Sequence, residues 1–452
     1  MTQTPAITDH TTHPTGFRQR EVARLLDVVS AGESASVVGV SGVGKSNLFN
    51  HLLNEKTQQR ALKEDADHYL FLRTNFHYAP DFSDRTVYTL ILEQLEQAPG
   101  GKVVTPLLDA MLEAGNDALR VQRYFRLALR QMLDDPPRRL VLLFDQFDGV
   151  WRNGAERLFA NLRGLRESYK YRLSYLVFSR TLLPALVPME QGREEFYELL
   201  AANVIGLRPY DEADAQRMVQ RLSTRYDLPL PVQRQDRYFE LSGGHAGLLR
   251  AIYLADARGE LDGDLPSALG QHDNVLQECD KLWSSLTAEE KKSLGLHAND
   301  QSLPDESPQA RRQLQLKGLL LDGDELFSPV FKEYIRTQAQ PWEEALYLEK
   351  ATGRLWVGGK PIAQLEPTPV ELLAELLANA NDLVTHDELE ASGWGPRHRE
   401  MDITPQMIHA AISRVRRAIK AVDDPELKVE AIRGKGYYLH VPNTYDLSNT
   451  AG

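Results

Sequence analysis

The chain has 452 residues, with 52 Lys and Arg against 64 Asp and Glu and a net charge of −12. That length predicts roughly three domains, and apolar and charged fractions of 42% and 26% are those of a globular protein with ample core. The acidic balance excludes a diffuse nucleic-acid binder, so any DNA contact must come from a local basic patch. A single cysteine, Cys279, excludes an intrachain disulfide and a multi-cysteine metal site. The longest apolar runs, such as Leu140 to Phe144, fall far short of the ~20 residues that cross a bilayer. Met1 to Thr15 lacks the apolar stretch of a secretory signal. A cytoplasmic location without a membrane partner is expected.

Residues 1–15 read as a flexible tail in which His10 and His13 are solvated. Phe17 to Val29 has the pattern of an amphipathic helix and carries Arg20-Glu21 just before the first strand, Ala35 to Val38. Gly39-Val40-Ser41-Gly42-Val43-Gly44-Lys45-Ser46 then fits the phosphate-loop pattern G-x-x-x-x-G-K-[ST]. Gly39, Gly42 and Gly44 let backbone N–H groups turn inward onto phosphate, because no Cβ blocks the approach. Lys45 can reach the β- and γ-phosphates and the Ser46 hydroxyl can ligate Mg²⁺. The helix predicted from Asn47 to Asn54 would face its positive end to the anion. ATP and Mg²⁺ are therefore the expected cofactors.

Tyr69 to Leu72 reads as a buried strand, and helices are predicted over Thr86 to Leu95 and Ala118 to Leu133, with a Pro99-Gly100-Gly101 break between them. Pro136-Pro137 ends that section. Leu140 to Asp145 is a continuous apolar run closed by an acid, the way a central parallel strand delivers a carboxylate to a phosphate site. Asp145 is the expected partner of Ser46 for the metal. Gln146 follows it, where many hydrolysing NTPases place a glutamate, and the next acid is Asp148. Asp148 fits either a catalytic carboxylate or a loop and helix cap, so slow or partner-assisted hydrolysis is as compatible with the segment as brisk turnover. A second strand, Leu173 to Phe178, ends in Ser179-Arg180-Thr181. Arg180 fits a γ-phosphate contact or a surface ion pair. Alternating strands and helices give a doubly wound α/β domain, assigned to 16–204.

Glu212 to Thr224 and the helix opened by Gly243-Gly244-His245 form an expected helical lid over 205–272, where His245 fits a nucleotide contact or a structural helix start. Gly263 to His272 reads as a joint. Helices over Leu282 to Gly295 and Ser307 to Gly318, then a hairpin through Asp322-Gly323, predict a first winged-helix domain over 273–340. After Leu346 to Leu348 and a strand over Arg354 to Ile362, three helices and a final hairpin make a second winged-helix domain over 345–443, with a tail at 444–452. No internal repeat marks a solenoid. The fold class is thus multidomain: an α/β P-loop NTPase with helical lid, followed by two winged-helix domains.

Residues 404–420 hold Arg414, Arg416, Arg417 and Lys420 with no acid. Ile408, Ile412, Val415 and Ile419 form one buried stripe at helical spacing. Gln406, His409, Ser413, Arg414, Arg416, Arg417 and Lys420 are the candidate DNA contacts of this segment, with Gln406, Ser413, Arg417 and Lys420 on a largely opposite face suited to a helix in a major groove. Ile432-Arg433-Gly434-Lys435-Gly436-Tyr437 predicts a hairpin whose basic tip, Arg433 and Lys435, meets phosphate or the minor groove. A solvated charged helix is the alternative on spacing alone.

Residues 17–255 resemble the STAND and origin-recognition branch of the AAA-like P-loop ATPases, on Arg20-Glu21, the Gly39 to Ser46 loop, Asp145-Gln146-Phe147-Asp148, Ser179-Arg180 and Gly243-Gly244-His245. Gln19 stands where that family usually has glycine. The resemblance implies a nucleotide-governed switch, often with ATP-linked self-association, with Arg20 on the adenine side and a winged-helix domain following. Residues 346–442 resemble the effector domain of OmpR/PhoB-type response regulators. That resemblance rests on Thr368 to Leu373, His386 to Leu389, Trp394, Ile412 to Arg417 and the closing Arg433-Gly434-Lys435-Gly436-Tyr437. It implies binding to double-stranded DNA, with no receiver domain preceding it. The expected function is an ATP-controlled transcriptional regulator whose nucleotide state sets conformation or homo-oligomerisation, with a protein partner as a candidate source of signal. Two alternatives remain: a DNA-processing ATPase of replication initiation, transposition or phage defence, and a scaffold that holds nucleotide without cleaving it.

Overall fold

The computed structural model describes residues 13, 16–115, 117–134, 138–187, 189, 191–229, 234–261, 268–299, 307–337, 346–350, 353–357, 360–394, 403–432, 434–442 and 445. The expected tail at 1–15 apart from His13, the Pro136-Pro137 break, residues 263–267 of the joint, Arg433 and most of the 444–452 tail lie outside them. The chain divides into two compact units, residues 1–335 and 336–452.

The first unit is built on a parallel sheet of β1 (Ala35–Val38), β2 (Tyr69–Asn75), β3 (Arg139–Asp145), β4 (Leu173–Ser179) and β5 (Val204–Gly206), in the order β2-β3-β4-β1-β5. Both faces are covered, which is why these strands read as continuous apolar runs and not as alternations. Val37, Phe71, Val141, Leu143, Leu176 and Phe178 point to one core. Leu72, Leu140, Leu142, Phe144, Tyr175 and Val177 point to the other. The strands end together, so the loop after β1, Asp145 at the end of β3 and Ser179-Arg180 after β4 share one edge of the sheet. In open α/β sheets, ligands bind at that carboxyl edge.

Helices Glu212–Tyr226, Gln235–Ser242 and Ala246–Ala257 follow β5, then Asp273–Ser284, Ala288–Ala298, Pro308–Lys317 and Pro329–Thr337. Tyr238, Ile252, Val275, Leu282, Leu294, Leu314 and Phe331 from these helices lie in the same core as Val37 and Phe49. The expected helix over 282–295 is two helices. Thr287 closes a capping box with Glu290, and this local pairing of backbone donors starts a new helix inside the apolar run. The expected hairpin at 318–327 is reduced to one antiparallel bridge, Leu320 to Leu326. His13, expected in solvent, stacks on Phe17 at 3.9 Å and lies 2.9 Å from Arg221 Nη1 through Nδ1.

In the second unit β6 (Leu346–Glu349), β7 (Arg354–Val357) and β8 (Lys360–Gln364) form an antiparallel sheet. The strand expected over 354–362 is therefore two strands. Helices Pro367–Ala378, His386–Trp394 and Pro405–Lys420 follow, and β9 (Leu383–Thr385) joins the wing β10 (Lys428–Ile432) and β11 (Gly436–His440) in the order β10-β11-β9. Leu346, Leu372, Leu389, Ile412, Val415 and Leu439 share a core of their own. Among the described residues, no helix is long and apolar enough to cross a membrane.

Candidate nucleotide site and nucleic-acid interface

The loop leaving β1 is shaped by its glycines. Gly42 and Gly44 have φ of 75° and 99°, the left-handed region that costs an L side chain most. A Cβ on Gly44 would also lie 2.6 Å from Tyr210 Oη. Gly44 leads into helix Lys45–Leu52 with no side-chain acceptor at its cap, so the first-turn N–H groups and helix dipole face an anion position. Lys45 is folded onto its own loop: Nζ donates to Gly39 O at 2.5 Å and Val40 O at 2.9 Å. Its pKa is pushed down to about 8, first by removal from water and then by the charges of Arg180 and Lys317, with Asp148 and Asp145 acting the other way. An N–H nest beside a lysine fits phosphate, and the exposed Ser46 hydroxyl with the Asp145 carboxylate fits Mg²⁺.

Asp145 is buried, and its Oδ2 accepts from Arg73 Nη2 at 2.5 Å and Nε at 3.2 Å. Gln146 takes a left-handed φ of 57°. Phe147 N–H then bonds Phe178 O at 3.0 Å, which brings Asp148 over to the end of β4. There both Asp148 oxygens accept from Arg180 N–H, at 3.0 and 3.2 Å. Asp148 thus holds the β4 loop, and the Arg180 side chain is exposed at the same edge.

His245 is fully buried and caps helix Ala246–Ala257, Nδ1 accepting from Leu248 N–H. That bond fixes the proton on Nε2, which donates to Ser41 O at 2.8 Å. Burial lowers its pKa to about 4, so the ring is neutral. Gly247 N–H bonds Gly42 O at 3.0 Å, and Ser41 N–H bonds Ser285 Oγ at 3.3 Å. The phosphate loop is therefore tied both to the lid helix and to the residue after helix Asp273–Ser284.

Arg20 is exposed. Arg18 is the arginine that reaches the loop: Nη2 donates to Val43 O at 2.6 Å, Nη1 to Arg208 O at 2.8 Å, and the guanidinium lies 4.5 Å over the Tyr210 ring. Two residues apart at a helix start, these arginines face different ways, and nothing in their spacing tells which points inward. Tyr210 Oη accepts from Asn47 Nδ2 at 2.9 Å. Lys317, fully buried, ends helix Pro308–Lys317 with Nζ 2.6 Å from the equally buried Glu290 Oε1. The adjoining Leu316 carbonyl sits where a Cβ on Gly206 would stand. Arg18, Arg73, Tyr210, Ser285 and Lys317 all come from outside the motif, and no local pattern marks them.

In the second unit, Ile408, Ile412, Val415 and Ile419 are buried as a stripe. Gln406, His409, Arg417 and Lys420 are exposed and Ser413 half-buried. At spacings of three and four these five share one face. Ser413 Oγ donates to His409 O at 2.8 Å. Arg414 pairs with Glu366, and Arg416 turns inward, Nε donating to Val429 O at 3.0 Å with the guanidinium 5.6 Å over Tyr437. Arg416 thus fastens the helix to the wing. Lys435 is exposed at the wing tip. A Cβ on Gly436 would lie 2.0 Å from Val384 O, so the wing closes on β9 only with glycine there.

Residues 17–178 match the AAA ATPase domain family, and residues 359–439 match the family described as transcriptional regulatory protein, C terminal. No curated protein matches the chain. Among solved structures it is similar to the Walker-type ATPase PABY2304 of Pyrococcus abyssi, at 14% identity and TM-score 0.45 over 71% of this chain and 95% of that one. It is also similar to the Aeropyrum pernix ORC2 protein, at 16% and 0.40 over 71% and 93%. The third is the Aeropyrum pernix ORC1 protein in complex with DNA, at 12% and 0.38 over 96% and 92%.

Proposed function

In a chain that carries an AAA ATPase domain and the C-terminal domain of transcriptional regulators, we propose that ATP, held with Mg²⁺, controls the DNA affinity of the C-terminal domain. Gly39 to Ser46 bind the phosphates, Ser46 and Asp145 hold the metal, and Arg180 meets the γ-phosphate. Gln406, His409, Ser413, Arg417, Lys420 and Lys435 meet DNA. The observation that carries this reading is the bonding of the phosphate loop to His245, Gly247 and Ser285. A ligand that reshapes the loop changes the partners of the lid and of the helices after it. Conformation or self-association of the ATPase then sets how many DNA readers act together. Hydrolysis is slow in this scheme, because Gln146 follows Asp145 and Asp148 is engaged by the β4 loop.

The test is a DNA-binding titration of the full chain with ATP, with ADP and without nucleotide, alongside its assembly state. Affinity and assembly that change with nucleotide support the switch, and identical values in all three conditions refute it. Rapid DNA-stimulated hydrolysis would point instead to a DNA-processing ATPase.

A further inference from the structure

The Arg73–Asp145 pair engages the carboxylate that the nucleotide reading assigns to Mg²⁺. Register places Asn75 beside Asp145 across β2 and β3. Arg73, two residues earlier on β2, therefore faces the same side of the sheet as Asn75. That side carries Val141 and Leu143 in the core shared with Phe49 of the phosphate-loop helix. The Arg73 guanidinium lies 4.5 Å over the Phe49 ring. Phe49 is three residues after Ser46, on the same face of that helix. Arg73 consequently links the helix that follows the phosphate loop to the carboxylate that fits Mg²⁺, with both of its bonds on one oxygen of Asp145. The Asp145 side chain is only 6% exposed and that of Arg73 27%, so the pair opens to solvent on the arginine's side.

We propose that Arg73 is a resident counter-ion for the metal position, a fixed positive charge that Mg²⁺ must displace from Asp145 or share it with. Resting on the nucleotide reading of the Gly39 to Ser46 loop, this makes nucleotide binding only weakly dependent on Mg²⁺. A buried carboxylate left alone is costly and draws a cation strongly. Here the chain supplies that cation itself. Bound Mg²⁺ then stands beside a like charge, which weakens its hold at these distances even with partial solvent screening.

The test measures binding of fluorescent ADP to the full chain in EDTA and in Mg²⁺, and Mn²⁺ binding to the ADP complex by paramagnetic resonance. The wild-type protein should lose less than about tenfold in ADP affinity when Mg²⁺ is removed, while Arg73→Gln should become at least about tenfold more Mg²⁺-dependent and bind Mn²⁺ correspondingly tighter. Arg73→Lys, which keeps the charge, should return both quantities toward wild type. An Arg73→Gln ratio within about twofold of wild type would overturn the proposal, as would a wild-type loss beyond about a hundredfold, whatever the variant's folding. No ADP binding in either buffer would refute the nucleotide reading, and this inference with it.

Discussion

Lys45 shows how a motif residue acquires a measurable property from its surroundings. Burial and the nearby Arg180 and Lys317 charges lower its pKa to about 8, so above that pH the unliganded site holds a neutral amine. Phosphate favours the ammonium, so nucleotide binding above pH 8 takes up a proton. The expected affinity is flat below pH 8 and falls by about tenfold per pH unit above it, until the lysine of the complex also titrates. Calorimetry in buffers of different ionisation enthalpy would count the proton; no uptake at pH 9 would contradict this account. The two neighbouring arginines of helix Pro405–Lys420 make a second contrast. Arg417→Ala should weaken DNA binding and reduce the salt slope by about one. Arg416→Ala, which breaks the bond to Val429 O, should instead cost the second unit about 1 kcal/mol. Salt-dependent DNA titration and thermal unfolding separate the two, and equal salt slopes for both variants would undo the assignment.

Elements were legible in the sequence where their signal is local. The continuous run Leu140 to Asp145 and the stripe Ile408, Ile412, Val415 and Ile419 need only periodicity to be seen, and both stand where expected. The Thr287-x-x-Glu290 box was equally local, but the apolar pattern over 282–295 masked it. Three-residue strands such as β5 and β9 carry too few side chains for any period to show. The end of helix Pro308–Lys317 illustrates what sequence cannot give. Lys317 looks like an ordinary charged residue in its helix, yet it meets Glu290 with both side chains fully buried. Breaking such a pair strands a charge, so Lys317→Met should lower the stability of the first unit by about 3–5 kcal/mol. Changing Glu290→Gln as well keeps the capping bond and removes the stranded charge, and should recover most of that loss. Urea unfolding of the single and double variants would decide it; additive losses would mean that the pair is not coupled.

At the scale of the molecule, the order of modules was legible and the sharing of cores was not. An ATPase motif near one end and a basic helix with a wing near the other suffice to order the functions along the chain. The lid and the four helices after it draw on the same apolar core as the sheet, because their buried faces complete one another's burial. No boundary in composition marks that sharing. The second unit has a separate core and is expected to fold when produced as residues 336–452. Its DNA affinity alone should differ from that of the full chain with the favoured nucleotide by about tenfold or more, the gain that linked readers bring. Fluorescence anisotropy on one DNA fragment would measure both, and equal affinities would remove the ATPase from control of binding.

The bond between Ser41 and Ser285 spans 244 residues, and this separation has a consequence for the protein's synthesis. At roughly 5–20 residues per second, the partner that completes the phosphate loop leaves the ribosome on the order of ten to fifty seconds after the loop itself. Contacts so distant in sequence also form late in refolding, since loop closure precedes any gain from them. A newborn chain therefore carries its nucleotide loop unfinished for most of its synthesis, and it acquires its DNA-binding domain only after that loop is complete.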